Sequence, residues 1–522
     1  PGDHPKLRAV SYALALAGFE NQKDGHPYDP SKPNPKLYDL LDQLGFSDPE
    51  SWDTASEDEG HSMGTTIAHK TLPSGQELIV VAPRNYNYMT EWLSNFDTGT
   101  TGDHAGFSES ANRIVERFDQ YIESHNFSSY KVWAVGYSRG GAVIDLFGKT
   151  INNDIANYQM NPDDFYVYTF GAPRASTVAT NYTNIHDVKD GNDLLLGYVF
   201  PELWGFYNTG TYEEIHPADL EITTAMLDIT DFADPTRVLN IISPDAKLTE
   251  EVGPQNGRAF MDSWLDFVNS NGLTREYFDS EVKPPLSKLM GIYQSRHIDE
   301  QSGLIDFIKD TNNGIASHLL AGMFSDLSSI DYDTDPTDIF KKYPPYNDLV
   351  AILKGTATNA DVEEFITYLT NYIGEYTDYS NPTISETEFT TIKTYLPQLI
   401  KALAPLIIAD AKYTQETFGE NYSLYYTYSL VSNAENLVIG HIPESIMPIL
   451  TRLIPADQTT EEEIIAVPDS GANTYIEQTE VIISYAETVS GIIITSLFGI
   501  YIFIIHPRLV KRSILHLLIL IK

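Results

Sequence analysis

Residues Gly136-Tyr137-Ser138-Arg139-Gly140 place a hydroxyl between two glycines. They follow the apolar run Lys131-Val-Trp-Ala-Val135 and lead into a helix-period segment, Gly140 to Thr150. A strand that turns abruptly into a helix forces the residue at the bend into a strained backbone, with its Oγ pointing out of the sheet. Side chains two positions before and after would meet the neighbouring strand and helix, so glycine is expected at 136 and 140. The helix start behind Ser138 favours negative charge developing there. The chemistry this allows is attack by a serine oxygen on a carbonyl.

A serine hydroxyl is a poor nucleophile until an imidazole takes its proton, and the imidazole needs a carboxylate to orient it. In sheets of this kind the chain order is serine, acid, histidine. The acid belongs at the end of the strand after Thr169-Phe170, where Asp187, Asp190 and Asp193 all compete. Of 13 histidines, those from His4 to His186 precede the acid, and His506 and His516 lie at or beyond an apolar C-terminal stretch. His216, His297, His318 and His441 remain. His441 follows the strand-like run Leu437-Val-Ile439 and is steadied by Pro443, as expected of an imidazole on the same sheet edge as Ser138. His297 and His318 fall in a helical region, and His216 suits support of the acid loop. An oxyanion needs two donors; one is expected from the backbone N–H of Arg139, the other from the loop after Glu77-Leu-Ile-Val-Val-Ala82.

The elements that must position these groups alternate. Apolar runs at 77–82, 131–135, 165–170 and 183–186 are separated by helix patterns at 108–123 and 140–150, the signature of an α/β sheet. Residues 6–45 read as helices, and 48–60 as an acidic, turn-rich stretch. From about 215 to 430 helical periods dominate, at Ala259 to Asn269, Asp361 to Glu375 and Glu388 to Ile407. The expected organisation is a first hydrolase part at 1–214, a helical insertion or cap at 215–430, a returning part at 431–455 carrying His441, and an acidic linker at 456–486. A transmembrane helix at 487–506 and a basic cytoplasmic tail at 507–522 complete it.

The membrane expectation rests on charge as well as hydropathy. Residues 488–505 carry no charge, Arg508, Lys511 and Arg512 follow, and no acidic residue comes after Glu487. By the positive-inside rule the large acidic part lies outside the cytoplasm, anchored in the cell membrane by a single pass. Pro1 is not a natural translation start, so a preceding segment is expected. With 522 residues, 42% of them hydrophobic, the chain can build more than one core. Its 33 basic against 73 acidic residues give a formal charge of −40, which repels phosphate backbones and makes nucleic acid an unsuitable partner. The absence of cysteine removes disulfides, thiolate metal sites and a thiol nucleophile. No EF-hand-like run is present, and neither a metal nor another cofactor is expected.

The chain resembles the class 3 (fungal-type) lipases, in particular a bacterial branch with large insertions. Beyond the elbow, the likeness rests on Val80-Val-Ala-Pro-Arg-Asn-Tyr86, Glu91-Trp-Leu-Ser-Asn-Phe96, His104-Ala-Gly-Phe107 and Thr169-Phe-Gly-Ala-Pro-Arg174. It spans residues 6–212 and returns near 432–450. The resemblance implies an ester hydrolase of α/β-hydrolase fold with a Ser-Asp-His triad and no cofactor. The family sets its acid shortly before a Trp-Gly-Phe motif, which here is Trp204-Gly-Phe206 and favours Asp193, although Leu-Leu-Leu-Gly stands where Val-Pro is usual. Gly440-His441-Ile-Pro443-Glu444 is similar to the family's H-x-P-E segment. Where the family has R-G-[ST], this chain has Arg84-Asn85-Tyr86, so the second oxyanion donor is the Tyr86 backbone N–H without a hydroxyl beside it.

The expected fold is thus an α/β-hydrolase with a large helical insertion and a C-terminal transmembrane helix. The expected activity is carboxylic-ester hydrolysis through an acyl-enzyme, on an ester or lipid substrate. An acyltransferase or amidase acting on envelope components would use the same machinery. A non-catalytic surface module on the same scaffold is the third reading, drawing on Asn85-Tyr86 and the altered acid loop.

Overall fold

The apolar runs pair into one sheet of seven strands whose spatial order follows chain order. The computed structural model describes residues 5–18, 35–52, 63–83, 92–190, 193, 204–215, 270, 272, 274–296, 348, 351, 357–375, 385–418 and 450. Two helices, α1 (Pro5–Ala17) and α2 (Pro35–Gln43), lead into β1 (Ser47–Trp52), β2 (Thr65–Thr71) and β3 (Glu77–Pro83). A 3-10 turn (Trp92–Phe96), α3 (Ala105–His125), β4 (Tyr130–Tyr137), α4 (Arg139–Asn153), β5 (Phe165–Phe170), β6 (Tyr182–Asp190) and β7 (Gly210–Ile215) follow. Strands β1, β2 and β3 pair antiparallel, whereas β3 through β7 are parallel.

The parallel strands are apolar on both faces because both faces are covered. Val132, Ala134, Phe165, Val167 and Ile185 pack with Ile114 and Phe118 of α3 and Val143 and Phe147 of α4. Trp133, Val135, Tyr168, Phe170 and Val188 turn the other way, onto Tyr12 and Leu14 of α1 and Leu37 and Leu41 of α2. The Trp133 indole N–H donates to Ser11 Oγ at 2.9 Å, satisfying a polar atom in that layer. The last strand is tied to the first helix: Glu213 on β7 accepts from Arg8 of α1 and pairs with His186 Nδ1 at 3.0 Å.

Three strands, β1, β2 and β7, escape the sequence reading. Residues 47–52, expected to lie at the head of a turn-rich stretch, form an edge strand that is mostly exposed and irregular between Ser47 and Glu50, with Asp48 at φ 48°. An edge strand with one poorly covered face carries no apolar alternation for a pattern to register. The same holds for β7, whose Tyr212 is half exposed.

The chain divides into two compact units, one comprising 1–254 with 435–490 and the other 255–434 with 491–522. Leu450 is fully buried in the α1-side core of the first unit. In the second, helical residues Arg275–Tyr277 pass through a π-helical turn, Phe278–Val282, into α5 (Lys283–Arg296), and α6 (Asn359–Glu375) and α7 (Glu386–Phe418) follow. The helix starts at 359 and 386 carry reciprocal caps. Thr358 N–H donates to Asp361 at 2.6 Å and Asp361 N–H to Thr358 Oγ1 at 3.3 Å; Ser385 and Glu388 repeat the arrangement at 2.7 and 3.2 Å. The Tyr277 hydroxyl donates to the Ala402 carbonyl at 2.9 Å, joining the first of these helical stretches to α7. The helix expected at 259–269, the strand at 435–441 and the membrane stretch at 487–506 lie outside the described residues. Among the described residues no helix is long and apolar enough to cross a membrane.

Phe118 is fully buried among Phe147, Tyr130 and Tyr158, whereas Val178 is 53% exposed. Phe118→Ala is expected to lower unfolding stability by about 3–5 kcal/mol, and Val178→Ala by less than about 0.5 kcal/mol. Urea titration of the two variants checks the contrast.

Candidate active site

Ser138 occupies the step between β4 and α4, with φ 54° and ψ −128°. Positive φ is uncommon outside glycine and costs about 1–3 kcal/mol, so the neighbours must hold it. They do so from two directions. Ser138 N–H donates to the Phe170 carbonyl on β5 at 2.9 Å, and the Ser138 carbonyl accepts from Ala142 N–H at 3.1 Å, opening the helix. The side chain is almost buried, with 8% of the residue exposed. A helix start presents its first amides and the positive end of its dipole to whatever lies there. Arg139, the expected oxyanion residue, is the first residue of α4.

The glycines divide differently from the sequence expectation. A Cβ on Gly136 would lie 2.4 Å from the Gly140 carbonyl oxygen, and one on Gly141 would lie 2.8 Å from the Ala172 Cβ. On Gly140 the nearest atoms would be Pro83 Cγ at 3.6 Å and Met63 Sδ at 4.0 Å, ordinary contacts. Gly141, not Gly140, is the glycine that the close approach of helix and β5–β6 connection demands. The cue in the sequence is the doubled glycine itself, with Ala172 in the Gly-Ala-Pro-Arg motif as its partner.

The Arg139 side chain turns away into the protein. Its guanidinium donates to Ser94 Oγ at 2.6 Å and Ser110 Oγ at 3.1 Å, and lies 5.7 Å from the centre of the Phe107 ring. This joins the elbow to two motifs singled out in the sequence, Glu91 to Phe96 and His104 to Phe107. His104 caps α3, accepting from Phe107 N–H at Nδ1 (3.4 Å), with Nε2 3.2 Å from the Asn95 carbonyl oxygen; its ring stacks on Phe107 at 3.8 Å. Gly106 lets the 3-10 turn press close, since a Cβ there would fall 2.1 Å from the Ser94 carbonyl oxygen.

Of the three aspartates, Asp187 lies within β6, fully buried and facing α4, and accepts from Thr169 Oγ1 and, at 3.2 Å, from Gly210 N–H. Burial raises its pKa, against the opposing effects of Lys189, Thr169, Gly210 and His186. Both of its carboxylate oxygens are thus engaged, one by Thr169 and one by Gly210. Asp190 closes the strand. Asp193 is buried and lies just past the C-terminal end of β6. Ser138 and Asp193 therefore follow the ends of two parallel strands, β4 and β6, with β5 between them. His441 and Tyr86 lie outside the described residues, as do His216, His297 and His318.

Sequence reading also missed a buried polar cluster behind the elbow. Asp145 of α4 accepts from Thr209 Oγ1 at 2.6 Å and from Thr209 N–H at 3.2 Å. Burial, reinforced by the charge of Asp187, holds its carboxyl well above the usual range. Lys189 reaches Asn208 Oδ1 at 2.6 Å. The signal available was the alternation Ile185, Asp187, Lys189, which sets two charges on a face that begins apolar. Among the described residues no group of three or more His, Cys, Asp or Glu could hold a metal.

A mixed sheet whose strand β4 ends in a strained, almost buried serine capping a helix is an α/β-hydrolase-like fold. The family profile for lipase (class 3) matches residues 80–194, from within β3 to just past Asp193. That segment is thus similar to class 3 lipases, and the chain is a serine hydrolase of carboxylic esters. Solved structures similar to the chain include a lipase from Rhizopus microsporus var. chinensis, 19% identical over 40% of this chain and 73% of its own, with a TM-score of 0.28. Lipase II from Rhizopus niveus is 16% identical over 40% and 79%, with a TM-score of 0.29. The triacylglyceride lipase of Rhizomucor miehei is 18% identical over the same shares, with a TM-score of 0.29. No curated protein matches the chain.

Gly136→Ala and Gly141→Ala are each expected to cost about 1–3 kcal/mol through overpacking and to displace Ser138. Gly140→Ala should fold with unchanged or higher stability, because alanine is the better helix former by about 1 kcal/mol. Thermal unfolding of the three variants reads the difference.

Proposed function

We propose that the chain hydrolyses carboxylic esters through a covalent acyl-enzyme, with Ser138 as nucleophile, His441 as general base and Asp193 as the carboxylate that orients it. The observation carrying this reading is the backbone of Ser138, held at positive φ on the first turn of α4. Such strain, over-determined by its surroundings, is a mark of a working site. Ser138 Oγ attacks the ester carbonyl while His441 removes its proton. The oxyanion that forms is stabilised by the backbone N–H groups of Arg139 and Tyr86. Collapse expels the alcohol, which takes the proton back from His441. Water, deprotonated by the same imidazole, then attacks the acyl carbonyl, and the acid leaves as the Ser138 hydroxyl is restored.

Asp193 is favoured over its neighbours by burial beyond the strand end, by the family match ending just past it, and by the prior commitment of Asp187. Support for His441 comes from the strand-like run Leu437-Val-Ile439 before it and Pro443 after it, and from the burial of nearby Leu450 in the core of the sheet-bearing unit. The ester or lipid reaches the enzyme from outside the cytoplasm, with residues 487–506 as a single membrane-spanning helix and 507–522 inside. The charge pattern of the C-terminal stretch supports that orientation.

A fluorophosphonate probe should label the wild type and leave Ser138→Ala unlabelled, with labelling sharply reduced in His441→Ala. Asp193→Asn should lower kcat on the order of 10⁴-fold, while Asp190→Asn stays near wild type. Equal labelling of Ser138→Ala would remove the nucleophile and with it the mechanism. For the anchor, a chain ending at 486 is expected in the soluble fraction after a carbonate wash and the full chain with the membranes; identical partition would discard the helix.

A further inference from the structure

The buried cluster behind the elbow joins three segments that the proposed triad depends on. Asp145 belongs to α4, which opens at Ser138. Asp187 and Lys189 belong to β6, which leads to Asp193. Asn208, Thr209 and Gly210 return after Trp204-Gly-Phe206 to begin β7, and each is bound by one member of the cluster: Asn208 by Lys189, Thr209 by Asp145, and Gly210 by Asp187.

Lys189 is the cation of this group. It is buried, donates to Asn208 Oδ1 at 2.6 Å, and lies 5.8 Å from the centre of the Tyr212 ring on β7. The charged groups acting on it are Asp187 on its own strand, Asp193 beyond the strand, Asp145 on α4 and Arg174 after β5. Burying an ammonium among carboxylates costs more than an apolar side chain of the same volume would, so packing alone does not account for it. The arrangement gives what packing cannot, a positive charge anchored where the segment beginning β7 meets the strand that leads to Asp193.

We propose that Lys189 is a positioning residue of the hydrolase: its buried ammonium, held on Asn208 beside the Asp145–Thr209 and Asp187–Gly210 bonds, fixes the acid relative to the helix that carries Ser138. This rests on the reading of Ser138 and Asp193 as nucleophile and acid. Burial pushes the Lys189 ammonium down to about 8, against the pull of the carboxylates. The sign follows from the proton: the charge is present below that pH and lost as pH rises through it. Above it Asp187 and Asp193 lose a neighbouring cation, and the acid is held less firmly.

The test is the pH profile of kcat/KM from pH 6 to 10 on a short-chain p-nitrophenyl ester, using the full chain with Lys189→Arg and Lys189→Met. The wild type should lose activity on the alkaline side with a midpoint near 8. Lys189→Arg should shift that limb up by about one pH unit or more, because a guanidinium does not titrate there. Lys189→Met should lower kcat on the order of 10²-fold at pH 7 with KM little changed, and show no such limb. An unmoved midpoint in Lys189→Arg would overturn the proposal, as would a wild-type profile in Lys189→Met. Should Lys189→Met fail to fold by circular dichroism, the Lys189→Arg midpoint decides alone. Activity surviving in Ser138→Ala would instead overturn the underlying mechanism, whereas its loss there together with an unmoved Lys189→Arg midpoint overturns only the role of Lys189.

Discussion

One residue held in a conformation it would not choose organises this hydrolase unit. The backbone of Ser138 is stable only because its surroundings leave no alternative, and each restraint comes from a different element. Strand β5 supplies the carbonyl that takes its N–H, and α4 supplies the amide that takes its carbonyl. The close contacts at Gly136 and Gly141 fix how tightly strand, helix and the β5–β6 connection meet. The next residue, Arg139, sends its side chain to Ser94 and Ser110, binding the 3-10 turn and α3 to the same point. The strain of about 1–3 kcal/mol is thus distributed over packing that involves most of the parallel sheet.

How much of this could be read from residues alone depended on whether the physics was local. The elbow was legible because its sterics act within a few positions of the chain. Strands β3 to β6 were legible because a parallel sheet covered on both faces needs unbroken apolar runs. Edge strands β1 and β7 were not, since half of each faces outward and polar residues are accepted there. Gly141 was overlooked for Gly140 because its constraint comes from Ala172, a tertiary contact no spacing rule contains. In sequence Asp187 reads only as a possible acid, and Lys189 and Asp145 carry no signal of their own. A charged residue in sequence reads as surface until its partners are known, and here those partners come from segments distant in the chain.

The distribution of cations is the less obvious theme. A chain with a formal charge of −40 has acidic residues to spare, and several of its few basic ones are buried or half-buried as cross-links. Arg117 donates to the Met63 carbonyl at 2.7 Å and to Thr65 Oγ1, holding α3 to the start of β2. Lys149 binds Asp103 at 2.6 Å and Ser176 Oγ at 2.9 Å, fixing α4 to the approach to α3 and to the β5–β6 connection. Asp103 is correspondingly held below the usual carboxylate range: burial opposes ionisation, but the hydrogen bonds from Lys149 and Thr177 and the charge of Lys149 outweigh it. Interior cations joining helices to loops suit a molecule whose exterior is already crowded with negative charge.

The clasp between Arg8 and Glu213 also sets a schedule. Its two halves are separated by 205 positions along the polypeptide. A ribosome adding about 5–20 residues per second delivers the second half roughly 10–40 seconds after the first. Throughout that interval the amino-terminal helix exists without the strand it fastens, so sheet edge and helix can lock only once nearly all of the parallel strands have emerged.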